Sequence, residues 1–449
     1  MGRIEQLNPQ PRNQIKTLQR IGYDLNAAVG DIVDNSIAAD AKNISIYSPP
    51  QERPTISIID DGRGMNEKEL LENMRIACKN PNDKRNSEDL GRFGSGMKTA
   101  SFSVANVLTV VSKSKNSKLC ACRYDIDLIV KNNRWDVEIL TLNEIRDLDE
   151  VSKKLLEGTP GTQVIWSELP RYDSLRGTEE VEQELAIDVV NIKKYVALYF
   201  HRFMTGKNKI SFNVNRQKLI PIDPFLIGEK GYTEGPSDSQ RSAGGKIDVK
   251  VHILPHHTKL SPEKLDEMGG VDEIAKKQGF YIFRGKRLIV EGGWLNLAKS
   301  SQLGKLARIQ VDVPTSMDEI LSTDVKKQTF QLPGKIRHLF KRMISSPVNI
   351  SKRKYTYRGK TEEANDFWDI KEDKREKKIT YEIKVSNKKL IDLVNKLKKE
   401  NRKYLIGYLK KLSEFLPVNH IYNSMSSNPN EVKQYEIDWE EFEKKLKEL

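Results

Sequence analysis

Asp31 and Asn35 stand four residues apart in GYDLNAAVGDIVDNSIAADA (22–41), so on a helix they stack on one side. On the other side Leu25, Val29, Ile32, Val33, Ser36 and Ile37 form a mostly apolar stripe suited to a core. A carboxylate and an amide one turn apart can take up a proton and offer a ligand oxygen. A second acid, Asp60, ends the alternating run TISIID (55–60), and Asp61-Gly62-Arg63-Gly64 turns sharply out of it. An ionised carboxylate there can only accept hydrogen bonds. Gly62 and Gly64 let the backbone approach a ligand and take positive φ. The third cluster is GRFGSGMKT (91–99), where Gly91, Gly94 and Gly96 lead into a helix expected to begin near Met97. Unobstructed N–H groups at a helix start make a phosphate cradle, to which Lys98 and Thr99 add a cation and a hydroxyl. The glycine spacing is too short for a Walker loop.

These groups need a scaffold. NISIYS (43–48) and TISIID carry alternating isoleucines and read as strands, as do VLTVVSKS, LCACRYDIDLIV, RWDVEIL and TQVIWSEL further on. Together they predict a mixed, largely antiparallel sheet with helices on one face. NEKELLENMRIAC (66–78) and EEVEQELAIDVVNIKKYVALYFHRFM (179–204) read as helices, and polar 79–89 as a lid-like loop. Residues 1–14, with Pro9 and Pro11, read as a frayed tail. KISFNVNRQKLIPIDPF (209–225) predicts two short strands. The Gly-, Ser- and Pro-containing stretch 228–245 reads as a loop or mobile insertion. Residues 246–314 follow a β-α-β-β pattern, with a helix near 261–277. After a basic helix at 335–347 comes a charged region ending in amphipathic helix at 387–417, where Tyr404 and Tyr408 sit among lysines.

DIVDNSIAA, DDGRGM (60–65), GRFGSGMK (91–98) and Gly161-Thr162, in this order, resemble the boxes of the GHKL ATPases: gyrase B-type topoisomerases, Hsp-type chaperones, histidine kinases and MutL. Lys98 after the last glycine is similar to the MORC branch, and FYIFRGKRLI (280–289) to the transducer domain of the MutL and gyrase branches. The resemblance implies an α+β fold: a two-layer α/β sandwich of the Bergerat type over 1–208, a transducer-like β-α-β domain over 209–348, and a charged, mainly helical region over 349–449. It implies ATP and Mg²⁺ as cofactors. Asp31 is then the base for the attacking water, and Asn35 the protein ligand of the metal. Asp60 accepts from the adenine amino group, and the Thr162 hydroxyl helps hold that carboxylate and a water. Gly62, Gly64, Met65, Gly91, Gly94, Gly96, Met97, Lys98 and Thr99 surround the nucleotide. A loop lysine within DVKKQTFQLP (324–333), Lys326 or Lys327, reaches the γ-phosphate. It also implies ATP-driven pairing of two copies.

Two positions depart from the family pattern. Asp31 replaces the usual Glu, shortening the acid by roughly 1.5 Å of reach. Ala38 replaces an acid that usually follows, leaving Asp40 as the nearest candidate partner for Arg63. No His precedes His201, which argues against a histidine kinase. The length argues against a full topoisomerase, and the lack of a His/Glu/Cys cluster after 350 against a metal-dependent endonuclease tail. The 449 residues carry a net charge of +13, 31% charged residues and a mean hydropathy of −0.61. That balance favours a polyanionic partner, nucleic acid first. No apolar run approaches a membrane span and no signal region opens the chain, so a cytoplasmic location without membrane contact is expected. Cys78, Cys120 and Cys122 are too few for a disulfide framework and read as packing residues, the last two on one face of a strand. The expected activity is ATP hydrolysis by a dimeric clamp on DNA. The competing reading is a chaperone-like scaffold that uses ATP to switch dimerisation and bind protein.

Overall fold

The computed structural model describes residues 5, 9–20, 24–49, 53–76, 96–175, 177–242, 245–299, 304–317, 337–344, 368–373, 378–384, 386 and 388–414. Helix α1 (Pro11–Gln19) takes up residues 11–14 of the frayed tail expected for 1–14, of which 1–4 and 6–8 lie outside the described residues. Pro11 occupies its first turn, where a missing N–H costs nothing, and Ile15 is fully buried in the first core. Helix α2 (Leu25–Ala38) follows, then β1 (Asn43–Tyr47), β2 (Ile56–Asp60), α3 (Glu67–Met74), α4 (Gly96–Val104), β3 (Val107–Lys113) and β4 (Cys120–Asp125). The apolar run continuing β4 does not remain a strand. The Asp125 carboxylate accepts from the Asp127 and Leu128 N–H groups and starts helix α5 (Ile126–Asn132). Strand β5 (Glu138–Leu140), short helices α6 (Leu142–Arg146) and α7 (Lys153–Leu156), β6 (Gly161–Ser167), the long α8 (Thr178–Tyr199), β7 (Ser211–Val214) and β8 (Gln217–Lys218) complete this part.

The eight strands form one sheet in the order β5-β4-β3-β6-β2-β1-β7-β8, with every pairing antiparallel except β1–β7. The pair 211–218, read in the sequence with the second unit, is therefore hydrogen-bonded into the first sheet. Strand periodicity divides the faces. Ile44, Ile46, Ile56, Ile58, Leu108, Val110, Val164 and Trp166 join the core beneath the larger helices. Val111, Ala121 and Ile165 face the other way, under Ile145 of α6 and Leu155 of α7, so helices cover both faces rather than one. Trp166 donates its ring N–H to Ser101 of α4 at 2.8 Å, locking that helix to the sheet. Cys120 and Cys122 lie in the main core, as their alternation predicts, and burial pushes their thiols up to about 12 and about 11. They stay protonated packing groups.

A second, five-stranded sheet runs β12-β11-β13-β10-β9, from β9 (Thr233–Ser242), β10 (Gly245–Ile253), β11 (Gly279–Arg284), β12 (Arg287–Glu291) and β13 (Ala307–Val313). The stretch read as a loop is thus an edge strand. It pairs antiparallel along β10, and Gly235 and Pro236 together oppose Val251 in a bulge, which is where a strand tolerates a residue without an N–H. The helix expected near 261–277 is two, α9 (Pro262–Glu267) and α10 (Gly270–Lys276), broken at Gly269, which has φ 82°. One face of this sheet packs against helix α11 (337–344), with Phe280 stacked on Phe340. On the other, Tyr281, Phe283 and Leu288 pack with Phe225 from the preceding turn against Leu198 and Tyr199 of α8, joining the two sheets. Arg202 adds an ion pair to Asp312 of β13. In the C-terminal region a hairpin, β14 (Trp368–Asp373) with β15 (Lys378–Ile383), precedes α12 (Lys388–Lys396) and α13 (Lys399–Glu414). Among the described residues no helix is long and apolar enough to cross a membrane.

His252 sits fully buried in the second sheet. The Tyr232 hydroxyl lies 2.8 Å from Nδ1, Gln310 Oε1 lies 3.0 Å from Nε2, and Phe225 stacks on the ring. Burial pushes its pKa down to about 4, with Lys250 adding to the effect and Gln310, Asp223 and Glu234 opposing it. The unfolded chain therefore binds the extra proton first. This contribution to stability is complete above pH about 6.5 and is lost as pH falls towards 4, on the order of 3 kcal/mol in all. Thermal unfolding of the parent and His252→Gln at pH 7.5 and 5 should show the gap between them shrinking at the lower pH. An unchanged gap would refute the assignment.

Candidate functional site

Asp24 caps α2 by accepting from the Ala27 N–H at 2.8 Å, which fixes the helix register. Asn35 is exposed and Asp31 half-buried on the side away from Val29, Ile32, Val33 and Ser36. The Asp31 carboxylate faces the first residue of α4: a Cβ on Gly96 would lie 3.5 Å from Asp31 Oδ2. The acid thus faces the start of the helix that was read as the phosphate cradle, and the exposed amide stands one turn further along α2.

The register of the sheet brings three polar side chains into one row. Ser112 of β3 pairs with Thr162 of β6, and Thr162 with Asp60 of β2, all on the face that α2 covers. Asp60 accepts from Ser36 Oγ at 2.8 Å and from the Gly62 N–H at 2.9 Å. Burial raises its carboxyl above the ordinary value, while the Gly62, Ser36 and Thr162 hydrogen bonds pull it back down. The Thr162 hydroxyl does not hold this carboxylate, as had been expected. It lies 2.8 Å from Ser112 Oγ, which also receives the Met65 N–H at 2.9 Å. Thr162 reaches Asp60 through its main chain: the two residues pair across the ladder, and the Thr162 backbone N–H also bonds the carboxylate.

The turn after Asp60 is held by protein contacts. Asp61 accepts from the Lys42 and Asn43 N–H groups and from Asn43 Nδ2. Burial alone would raise its carboxyl, but these hydrogen bonds outweigh it and leave it low. Only Gly64 of the two turn glycines has positive φ (62°), and a Cβ there would lie 1.9 Å from the Lys113 carbonyl oxygen. Gly62 is needed for the close pass of Ala39, whose oxygen would lie 2.7 Å from a Cβ. Arg63 donates to the Ala38 carbonyl, with Asp40 at 3.9 Å, so the nearest acid does take the vacant partner position, loosely and in solvent. Gly64→Ala combines left-handed strain with a backbone clash, and should cost more than about 2 kcal/mol, a fall of several degrees in Tm. A melting curve that does not move would refute this.

Residues 23–159 match the family described as histidine kinase-, DNA gyrase B- and HSP90-like ATPase. This stretch is a GHKL ATPase domain. No curated protein was found to match the chain.

The GHKL match covers α2, the Asp60 turn and α4, and stops two residues before Gly161. Strand pairing brings that last glycine back: a Cβ on Gly161, φ 154°, would lie 2.2 Å from the Asp60 carbonyl oxygen. Met65 and Met97 are half-buried against the core. Lys98, expected to add a cation to the cradle, is buried, with Nζ donating to the Asn73 carbonyl of α3 at 2.5 Å. There it meets the negative end of α3, whose last carbonyls have no partner within the helix. Thr99 is half-buried and its carbonyl accepts from Ser103. Gly91, Gly94, Lys326 and Lys327 lie outside the described residues. Ser36, Ser112 and Asp34 were missed in the sequence. Ser36 was counted in an apolar stripe, where a lone hydroxyl was the available signal. Ser112 gave none, because its partners come from strands distant in sequence.

Asp34, also on α2, meets Arg287 of β12. The guanidinium Nε lies 3.1 and 3.3 Å from the two carboxylate oxygens, and another nitrogen donates to the Tyr195 hydroxyl at 3.0 Å. Burial opposes the Arg287 charge, but Asp34 and Tyr195 outweigh it and hold Arg287 above its usual range. The Asp34 carboxyl is raised by burial, against the pull of Arg287.

Proposed function

We propose that the chain binds ATP with Mg²⁺, hydrolyses it, and uses the nucleotide to gate pairing of two copies on DNA. The ATP-binding family supports the first step. The observation that supports hydrolysis is the Asp31 carboxylate beside Gly96 at the start of α4, one turn from exposed Asn35. Asp60, with Ser36, Gly62 and the Thr162 N–H filling only part of its accepting capacity, receives the adenine amino group. Asp31 takes the proton of the water attacking the γ-phosphate. Asn35 would hold Mg²⁺ through its amide oxygen. This suits an ion that keeps several waters and binds through phosphates, and no preformed cage of three His, Cys, Asp or Glu occurs among the described residues. When bound, that ion neutralises phosphate charge. Lys326 or Lys327, from the transducer-like second unit, would complete the charge balance.

The net charge of +13 and Tyr404 and Tyr408, 81% and 66% exposed on lysine-rich α13, favour nucleic acid over a protein client. The test is ATP turnover with Mg²⁺, with and without double-stranded DNA, together with light scattering in a non-hydrolysable ATP analogue. Turnover stimulated by DNA and weakened by salt, with a dimer in the analogue, is expected. A chain that stays monomeric ends the clamp reading, and stimulation by protein but not DNA moves it to the scaffold.

A further inference from the structure

The Arg287 guanidinium leaves the second sheet and is buried against α2 and the C-terminal end of α8. Besides Asp34 and Tyr195, it lies 4.1 Å over the Phe200 ring and bonds the Leu288 carbonyl of its own strand. Its only carboxylate contact among the described ion pairs is to α2, the helix that carries Asp31 and Asn35. Asp34 stands one turn after Asp31 and directly before Asn35, so moving its carboxylate rotates or shifts both. The approach is also built from the helix side. A Cβ on Gly30 would lie 2.7 Å from the Arg287 guanidinium and 2.7 Å from the Tyr195 hydroxyl, so α2 carries no side chain where the arginine enters. A stable packing contact between the sheets needs none of this. Phe225, Tyr281, Phe283 and Leu288 already pack on α8, and Arg202 pairs with Asp312.

We infer that Arg287 is a positioning residue. From the second sheet it holds Asp34 and so sets the Asp31–Asn35 edge of α2, making hydrolysis depend on where the second sheet sits. This rests on the proposed ATPase reading. A planar guanidinium with Nε on Asp34 and its other two nitrogens held by the Leu288 carbonyl and the Tyr195 hydroxyl defines an angle as well as a distance, which a lysine ammonium does not. Displacing a catalytic edge by about 1 Å can cost on the order of a hundredfold in rate while leaving ground-state binding nearly intact.

The experiment measures kcat and KM for ATP with Mg²⁺, and the affinity for a fluorescent ATP analogue, in the full chain. The variants are Arg287→Lys, Gly30→Ala, the double variant Asp34→Asn with Arg287→Met, and Arg202→Met as the interface control. Gly30→Ala is the cleanest perturbation. Alanine favours a helix over glycine, and the atoms it presses on are the bonded far ends of the Arg287 and Tyr195 side chains rather than backbone. Each of the first three variants should lower kcat at least about tenfold with analogue affinity within about threefold of the parent. The double variant should melt near the parent, since removing both partners of a buried pair is often neutral, yet stay slow. Arg202→Met should keep kcat within about threefold. Recovery of turnover in the double variant, an equal loss in Arg202→Met, or losses confined to KM would each overturn the inference. A parent that does not bind or turn over ATP would instead overturn the proposed function, and this inference with it.

Discussion

Asp31→Asn should bind ATP like the parent and lose about a hundred- to ten-thousandfold in turnover, the usual range for removing a general base. The substitution changes one acceptor oxygen to a donor nitrogen at constant shape. The half-buried position beside Gly96 needs no rearrangement to hold it. Asp31→Glu tests reach. The added methylene extends the acid towards the space that Gly96 leaves open, so this variant should retain at least about ten times the turnover of Asp31→Asn. Single-turnover kinetics with radiolabelled ATP, beside analogue binding, would check both. If Asp31→Asn hydrolyses at the parental rate, the base lies elsewhere.

The second large effect is expected at the other end of the nucleotide. Asp60→Asn should weaken ATP binding by on the order of tenfold to a hundredfold, the worth of a hydrogen bond to a charged acceptor. The fold should survive. Ser36 Oγ also lies 3.2 Å from the Ile32 carbonyl, so its hydroxyl can turn to donate there and accept from the new amide. Titration calorimetry on parent and variant, with a melting curve for each, separates recognition from collapse. Unchanged affinity would remove Asp60 from the adenine role. The same site predicts pH dependence. Because burial raises the Asp60 carboxyl, its accepting form is lost at a higher pH than for an exposed aspartate, so affinity should begin to fall early on acidification.

Much of this was legible before any coordinates. Glycine and carboxylate spacing identified α2, the Asp60 turn and the α4 start, because each is a local device whose residues lie within one turn of helix or one tight bend. Alternating isoleucines identified β1 and β2 for the same reason. Errors came where a local rule met a neighbour. The 233–242 stretch has a loop's composition, but the edge of β10 offers it a row of backbone partners, and an edge strand need bury little. Pro11 reads as a breaker unless the helix begins on it. Asp125 reads as one more strand residue until its carboxylate caps a helix.

The sequence by itself determined the chemical inventory: an acid and an amide on one helix face, an accepting carboxylate after a strand, and glycines before a helix. Those depend on periods of two and of 3.6, which the chain carries locally. Only the tertiary structure decided what surrounds each group. The Ser36 hydroxyl rather than that of Thr162 holds Asp60. Lys98 faces the Asn73 carbonyl. Arg287, distant in sequence, closes on Asp34. Such pairings are set by strand order and by which helix crosses which sheet, and a side chain's partner across the core leaves no mark on its own neighbours in the chain.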